Sequence, residues 1–234
     1  MVDMSVDAVK NFGDELRRLG LATDLMVAGS LATGDYVPHV SDLDLVALVA
    51  GSPQRPQITR LHRRVDREER LNLGCVYVDV TTVGDVGKTH PTWTHGRLVD
   101  RILSGVTRAE LARHGYAVFG REPLEVFPAV TADDIRDAAR AELTGYWAWA
   151  ARRPWLWLDP ELADLGLTSM ARARHALERG ELLTKSRAIG EARAPHWLRE
   201  QLRARRQGRR IASPRVRTGW IAWRDARRTV AQWP

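Results

Sequence analysis

Residues 29–49 read GSLATGDYVPHVSDLDLVALV, and their order decides the architecture of the first half of this chain. The apolar run TDLMVA at residues 23–28 reads as a strand that enters a bend at Gly29 and Ser30. A short helix is expected from Leu31, with Gly34 near its end, and DLDLVALV at residues 42–49 is the next strand. Side chains alternate along a strand, so Asp42 and Asp44 project to the same face, about 7 Å apart. The outer half of that strand is continuously apolar, which fits coverage on both faces. Gly29 and Ser30 offer backbone N–H groups and a hydroxyl, and Ser41 adds a second hydroxyl, all suited to phosphate oxygens. A carboxylate pair beside a phosphate cradle is what metal-dependent nucleotide transfer requires.

Working outward, Val6, Val9, Phe12, Leu16 and Leu19 fall at helical spacing, and Gly20 is a stop. Ile58, Leu61 and Val65 line one side of an otherwise charged helix (TRLHRRVDREER). In GCVYVDVTTV (residues 74–83), Val76, Val78 and Val80 face one way, while Cys75, Tyr77, Asp79 and Thr81 face the other. Asp79 sits in an apolar setting where an unpaired carboxylate is costly to bury, so it reads as a third metal ligand joining Asp42 and Asp44. Leu98, Ile102 and Leu103 read as a helix after Pro91.

The composition changes after Pro123 and Pro128. Thr131 with Asp134 resembles a capping box, and Ile135, Ala138, Ala139, Leu143, Tyr146 and Ala150 then repeat at helical spacing. Pro154 breaks that pattern, a second helical stretch runs from about Leu162 to Arg179, and no convincing strand follows Gly180. The expected fold class is α+β: an N-terminal domain at residues 1–128, a mixed sheet flanked by helices, then an all-helical domain at residues 129–234.

The chain has 234 residues, 44% of them hydrophobic, enough for one large core or two small ones. One cysteine, Cys75, excludes an internal disulfide. No apolar run is long enough to cross a membrane, and MVDMSVDAVK lacks the basic-then-apolar order of a secretory leader, so a cytoplasmic protein is expected. Of the net charge of +7, residues 199–228 contribute eleven Arg against Glu200 and Asp225, or +9, leaving −2 for the rest. Aromatic residues do not interleave the densest run, RARRQGRR, so a solvated arginine-rich face is the simpler reading than a nucleic-acid interface. The seven histidines show no metal-ligand spacing. Oligomeric state is not legible.

A Gly-Ser bend, a short helix, an Asp-x-Asp on the next strand and a carboxylate on a later strand together resemble the DNA polymerase β-like nucleotidyltransferase superfamily. Within it, the chain is similar to aminoglycoside nucleotidyltransferases of the streptomycin/spectinomycin adenylyltransferase type. That likeness rests on size, the helical second half, and LTSMARARHALERGELLTKSRAIGEA (residues 167–192). The resemblance implies transfer of AMP from ATP with two Mg²⁺ ions on Asp42, Asp44 and Asp79, and a nucleotide site of Gly29, Ser30, Ser41 and Lys185. Where the family has an aspartate after an apolar–Gly pair, this chain has Arg121 (VFGR).

An aminoglycoside is a polyhydroxylated cation, so its pocket needs carboxylates and aromatic faces. YWAWAARRPWLWLDPELADLG (residues 146–166) supplies four tryptophans and then Asp159, Glu161 and Asp164. The family comparison points to Glu161 and Asp164 as acceptor contacts, and Trp93 is a further candidate. The alternative acceptor is a protein or RNA docked on the basic C-terminal stretch. A nucleotide-binding relic and a toxin–antitoxin partner fit less well, given the full carboxylate set and the helical half.

Overall fold

The computed structural model describes residues 4–69 and 72–233. The chain divides into two compact units, residues 1–130 and 131–234.

In the first unit the elements run α1 (Met4–Arg18), β1 (Asp24–Ala28), α2 (Gly29–Ala32), β2 (Leu43–Val49), α3 (Arg55–Glu69), β3 (Leu73–Asp79), β4 (Thr89–Thr94), β5 (Arg97–Ile102), α4 (Gly105–His114), β6 (Tyr116–Phe119) and α5 (Pro123–Val126). Among the described residues the strands form one sheet in the order β5-β4-β3-β2-β1-β6. It is mixed: β2 and β3 are parallel, and every other neighbouring pair is antiparallel. The helix between β2 and β3 makes the parallel crossover, as a parallel pair requires.

Alternation along each strand sorts the apolar residues into two cores. Leu43, Leu45, Ala47, Leu73, Cys75 and Tyr77 pack against Phe12 and Leu16 of α1 and Ile58, Leu61 and Val65 of α3. On the other face Met26, Ala28, Val46, Leu48 and Val78 pack with Leu111 of α4 and Phe127. β2 is thus covered on both faces, which accounts for its apolar outer half.

Two expectations change here. Residues 89–102 form a β-hairpin rather than a helix: Thr94 pairs with Arg97 across His95 and Gly96, both at positive φ (49° and 71°). That backbone fits a two-residue primed turn, which the right-handed strand twist favours. The short β6, which the periodicity does not announce, pairs with β1. There Arg121 takes up Asp24: its amide donates to Oδ1 at 2.7 Å, its Nε to Oδ1 at 3.0 Å and its Nη2 to Oδ2 at 2.8 Å. Burial would raise the Asp24 pKa, but the Arg121 side chain, the Thr23 hydroxyl and the Arg121 amide outweigh it and bring it to about 2.

In the second unit the order is α6 (Ala132–Glu142), a π-turn at Leu143–Trp147, α7 (Ala148–Ala151), a 3₁₀ turn at Pro154–Leu158, α8 (Pro160–Arg179), α9 (Lys185–Glu191), α10 (His196–Arg206) and α11 (Arg215–Gln232). The capping box is present: Thr131 Oγ1 accepts the Asp134 amide, and Asp134 Oδ2 accepts the Thr131 amide. α8 ends at Gly180, whose φ of 69° suits a left-handed cap. Buried Trp157 donates to Ala150 O at 3.1 Å, and Gly166 of α8 and Gly219 of α11 leave it room. Arg174 and Asp225 form a buried pair at 2.8 Å that also engages Thr229. Among the described residues, no helix is long and apolar enough to cross a membrane.

Candidate active site

The antiparallel pairing of β1 and β2 builds the site. Ala28, the last residue of β1, is the cross-strand partner of Asp44, so the end of one strand meets the start of the next. The chain must turn away at once, and Gly29 does so at φ 61°. That conformation is open to glycine and strained for residues with a Cβ. A Cβ on Gly29 would overlap Asp44 Oδ2 and come within 2.9 Å of Asp44 Cβ and Cγ. Gly29, the first residue of α2, therefore lies directly against the Asp44 carboxylate.

Asp44 lies on the sheet face of Val46 and Leu48, half-exposed at the edge of their core. Asp42 immediately precedes β2 and is likewise half-exposed. Asn72 Nδ2 donates to Asp42 Oδ1, and Asn72 O accepts the Leu43 amide at 2.8 Å. The sequence gives no sign of this brace, because Asn72 is thirty positions from Asp42 and becomes its neighbour only through β2–β3 pairing. Ser41 is buried, and its Oγ accepts the Val37 amide at 3.0 Å. It closes the loop before β2.

Asp79 does not join the pair. In the parallel β2–β3 register Asp44 faces Gly74 and Val49 faces Asp79. Asp79 is therefore five residues further along, about 16 Å from the Asp44 row. By alternation it also belongs to the opposite face, with Cys75 and Tyr77. Its Oδ1 accepts the Thr81 amide and hydroxyl, each at 2.9 Å, capping a 3₁₀ turn, and those bonds hold it below the usual carboxylate range. Among the described residues, no group of three or more His, Cys, Asp or Glu side chains is placed to hold a metal.

Trp93 is also displaced from its expected role. The hairpin turns it toward the α3 side, where it is buried, stacks on His62 with centroids 4.8 Å apart, and donates to Asp66 Oδ2 at 3.2 Å. His62 Nε2 and Tyr77 OH are 2.8 Å apart, and burial pulls the His62 pKa down to about 3.

In the helical unit, Lys185 is the first residue of α9, half-exposed, and its ammonium makes no hydrogen bond or ion pair with the described residues. Glu161 is exposed in the first turn of α8. Asp164, expected to meet the acceptor, is instead bound bidentately by Arg205 of α10, at 2.5 Å to Oδ2 and 2.9 Å to Oδ1. That pair ties α8 to α10, and Arg205 extends the tie to Ile211 O and Ser213 Oγ.

Two carboxylates beside a glycine-built cradle are a hard-oxygen donor set of the kind Mg²⁺ takes together with substrate phosphates. The residues present thus fit a divalent cation held by Asp42 and Asp44.

Residues 9–102, from within α1 to the end of β5, match the family model of the nucleotidyltransferase domain. No curated protein matches the chain. Among solved structures, the spectinomycin adenyltransferase AAD(9) from Enterococcus faecialis, solved with ATP and spectinomycin, aligns at a TM-score of 0.71. Identity is 12%, over 94% of this chain and 97% of the other, a likeness of fold. Residues 9–102 thus match a nucleotidyltransferase domain, and the chain as a whole has a fold similar to that of a solved adenylyltransferase.

Proposed function

We propose that this protein transfers AMP from ATP to a hydroxyl of a small polyhydroxylated acceptor of the aminoglycoside class. The observation that carries the reading is the close approach of Gly29, where β1 ends, to Asp44 near the start of β2, with Asp42 two residues before it. ATP and the acceptor class are supported by the ligands of the structural neighbour, which bound ATP and spectinomycin.

The acceptor oxygen bonds to the α-phosphorus as the bond from that phosphorus to the bridging oxygen breaks. Pyrophosphate leaves, and the hydroxyl proton goes to solvent. Asp42 and Asp44 hold Mg²⁺, which when bound neutralises charge on the triphosphate. Gly29 lets the phosphate chain approach the carboxylate edge closely, and Ser30 offers its hydroxyl. Asn72 fixes the orientation of Asp42. Lys185 is assigned to the leaving phosphates, since a compact ammonium suits a phosphate oxygen. Glu161, exposed and acidic, is assigned to an acceptor amine. Holding the reactants in line accounts for most of the acceleration in this scheme.

Part of the basic C-terminal stretch is engaged within its own unit, while most of its other arginines are exposed. Arg205 binds Asp164, Arg199 donates to Gly190 O and Arg215 to Leu158 O. The ligands of the structural neighbour, ATP and spectinomycin, favour the small acceptor over RNA or protein.

The test is incubation with ATP, Mg²⁺ and a panel of aminoglycosides including spectinomycin, read by product mass. The expected result is an acceptor heavier by one AMP residue, absent with Asp44→Asn. A panel without any adenylylated product, under conditions where the protein is folded and binds ATP, refutes the acceptor class.

A further inference from the structure

Position 74 is in register with Asp44 across the parallel β2–β3 pair. Directly registered residues of parallel strands project from the same face, so a side chain at position 74 would stand beside Asp44. The residue there is glycine, and the next β3 residues on that face, Val76 and Val78, are apolar. Neither backbone nor space demands the glycine. Its φ is not in the left-handed region, and a Cβ would meet only Leu43 O and Trp93 O at 3.7 Å and Asp44 Oδ1 at 3.8 Å, ordinary contacts. Glycine inside a strand weakens it and often marks close approach of a ligand.

We propose that Gly74 leaves a notch beside Asp44, and that the nucleotide-loaded protein holds one divalent cation, the one that arrives on the triphosphate, rather than two. The inference rests on the reading of the site given under Proposed function. A cation facing the triphosphate draws ligands from several phosphate oxygens as well as Asp42 and Asp44. A second cation, on the side the acceptor enters, has few phosphate oxygens within reach and would need a further protein carboxylate. β3 supplies none in that register, and Asp79 lies at the other end of the strand. The notch is left to the acceptor itself, whose hydroxyl must approach the α-phosphorus.

The experiment counts Mn²⁺ bound per chain loaded with a non-hydrolysable ATP analogue, by electron paramagnetic resonance of the free ion, and includes the ion carried by the nucleotide. The expected counts are one for the wild type, one for Gly74→Asn, and two for Gly74→Asp, whose carboxylate completes a second site with at least tenfold tighter uptake of the additional ion. Two ions in the wild type overturn the inference while leaving the reading of the site intact. One ion in a folded Gly74→Asp protein overturns the role of position 74. If that variant does not fold, the wild-type count alone decides. Failure to bind the analogue with Mn²⁺, or unchanged binding in Asp44→Asn, refutes the site and the inference with it.

Discussion

Replacing Gly29 with alanine separates a site built on close approach from one that is merely nearby. The substitution places a non-glycine residue at φ 61°, which costs about 1–2 kcal/mol. It also drives a methyl group into the Asp44 carboxylate, because the Cβ position overlaps Oδ2. The Ala28–Asp44 pairing holds both backbones, so Asp44 must change rotamer, at roughly 0.5–1.5 kcal/mol if it leaves its minimum. The total, about 1.5–3.5 kcal/mol, corresponds to a fall in Tm of roughly 3–14 °C. The functional loss is larger, since displacing a positioning group by about 1 Å costs on the order of 10²-fold. Gly20→Ala is the control: its φ is 63°, but nothing lies within 4 Å of its Cβ position. Pyrophosphate release and a thermal melt followed by circular dichroism are measured for both variants. The expected result is that both lose stability but only Gly29→Ala loses at least 10²-fold in kcat/KM. If Gly29→Ala turns over within threefold of wild type, or melts with Gly20→Ala, the placement of Asp44 against the bend is refuted.

Asp44→Asn is expected to lower pyrophosphate release at least 10³-fold, while Asp79→Asn stays within twofold and keeps its turn cap; equal losses in the two variants would return Asp79 to the site. Asp24 has a folded pKa of about 2 against 3.8 unfolded, so it contributes roughly 2 kcal/mol at neutral pH, lost as pH falls from about 4 toward 2. Urea unfolding between pH 7 and pH 2 should show that loss in the wild type, and a flatter curve over the same window in Asp24→Asn. His62, with its pKa lowered from 6.5 to about 3 by burial, opposes protonation, so stability falls as pH drops below 6.5, by roughly 2 kcal/mol at pH 5. His62→Gln should flatten the acid limb between pH 6.5 and 4, and an unchanged limb would show that His62 is not the group responsible. Asp225→Ala leaves the buried Arg174 guanidinium without its partner and is expected to cost about 3–5 kcal/mol, read by denaturant unfolding.

Much of the fold is written in local pattern. The apolar residues of α1 and α3 repeat at helical spacing, β1 and β2 are apolar runs of strand length, and α1 and α8 are followed by glycines at positive φ, Gly20 and Gly180. The hairpin at residues 89–102 is not announced in that way. Its turn is His-Gly rather than Asn-Gly or Asp-Gly, and the apolar Leu98, Ile102 and Leu103 imitate a helical stripe. The aromatic face of Trp93 follows from the same pairing, since its burial against His62 requires the hairpin to fold back on β3. Asp164 illustrates another limit. Its spacing from Glu161 puts both in the first turns of one helix, but Arg205 lies forty-one residues away, and only tertiary packing brings its guanidinium there.

Asp79 shows where local pattern stops and topology begins. Alternation in GCVYVDVTTV correctly puts Asp79 on the face of Cys75 and Tyr77, opposite Val76 and Val78. What alternation cannot supply is which end of β3 lies beside Asp44. That is set by strand direction, and the sequence does hold a clue to it. A strand, an amphipathic helix and another strand form a βαβ unit, whose strands run parallel. Parallel strands place start beside start, so the residue that meets Asp44 must come from the beginning of β3. An antiparallel β3 would have brought its end, and Asp79, toward the carboxylate pair. The register instead places Gly74 there. The third carboxylate is therefore missing because of the direction in which α3 returns the chain, and a carboxylate at position 74 is the change that would supply it.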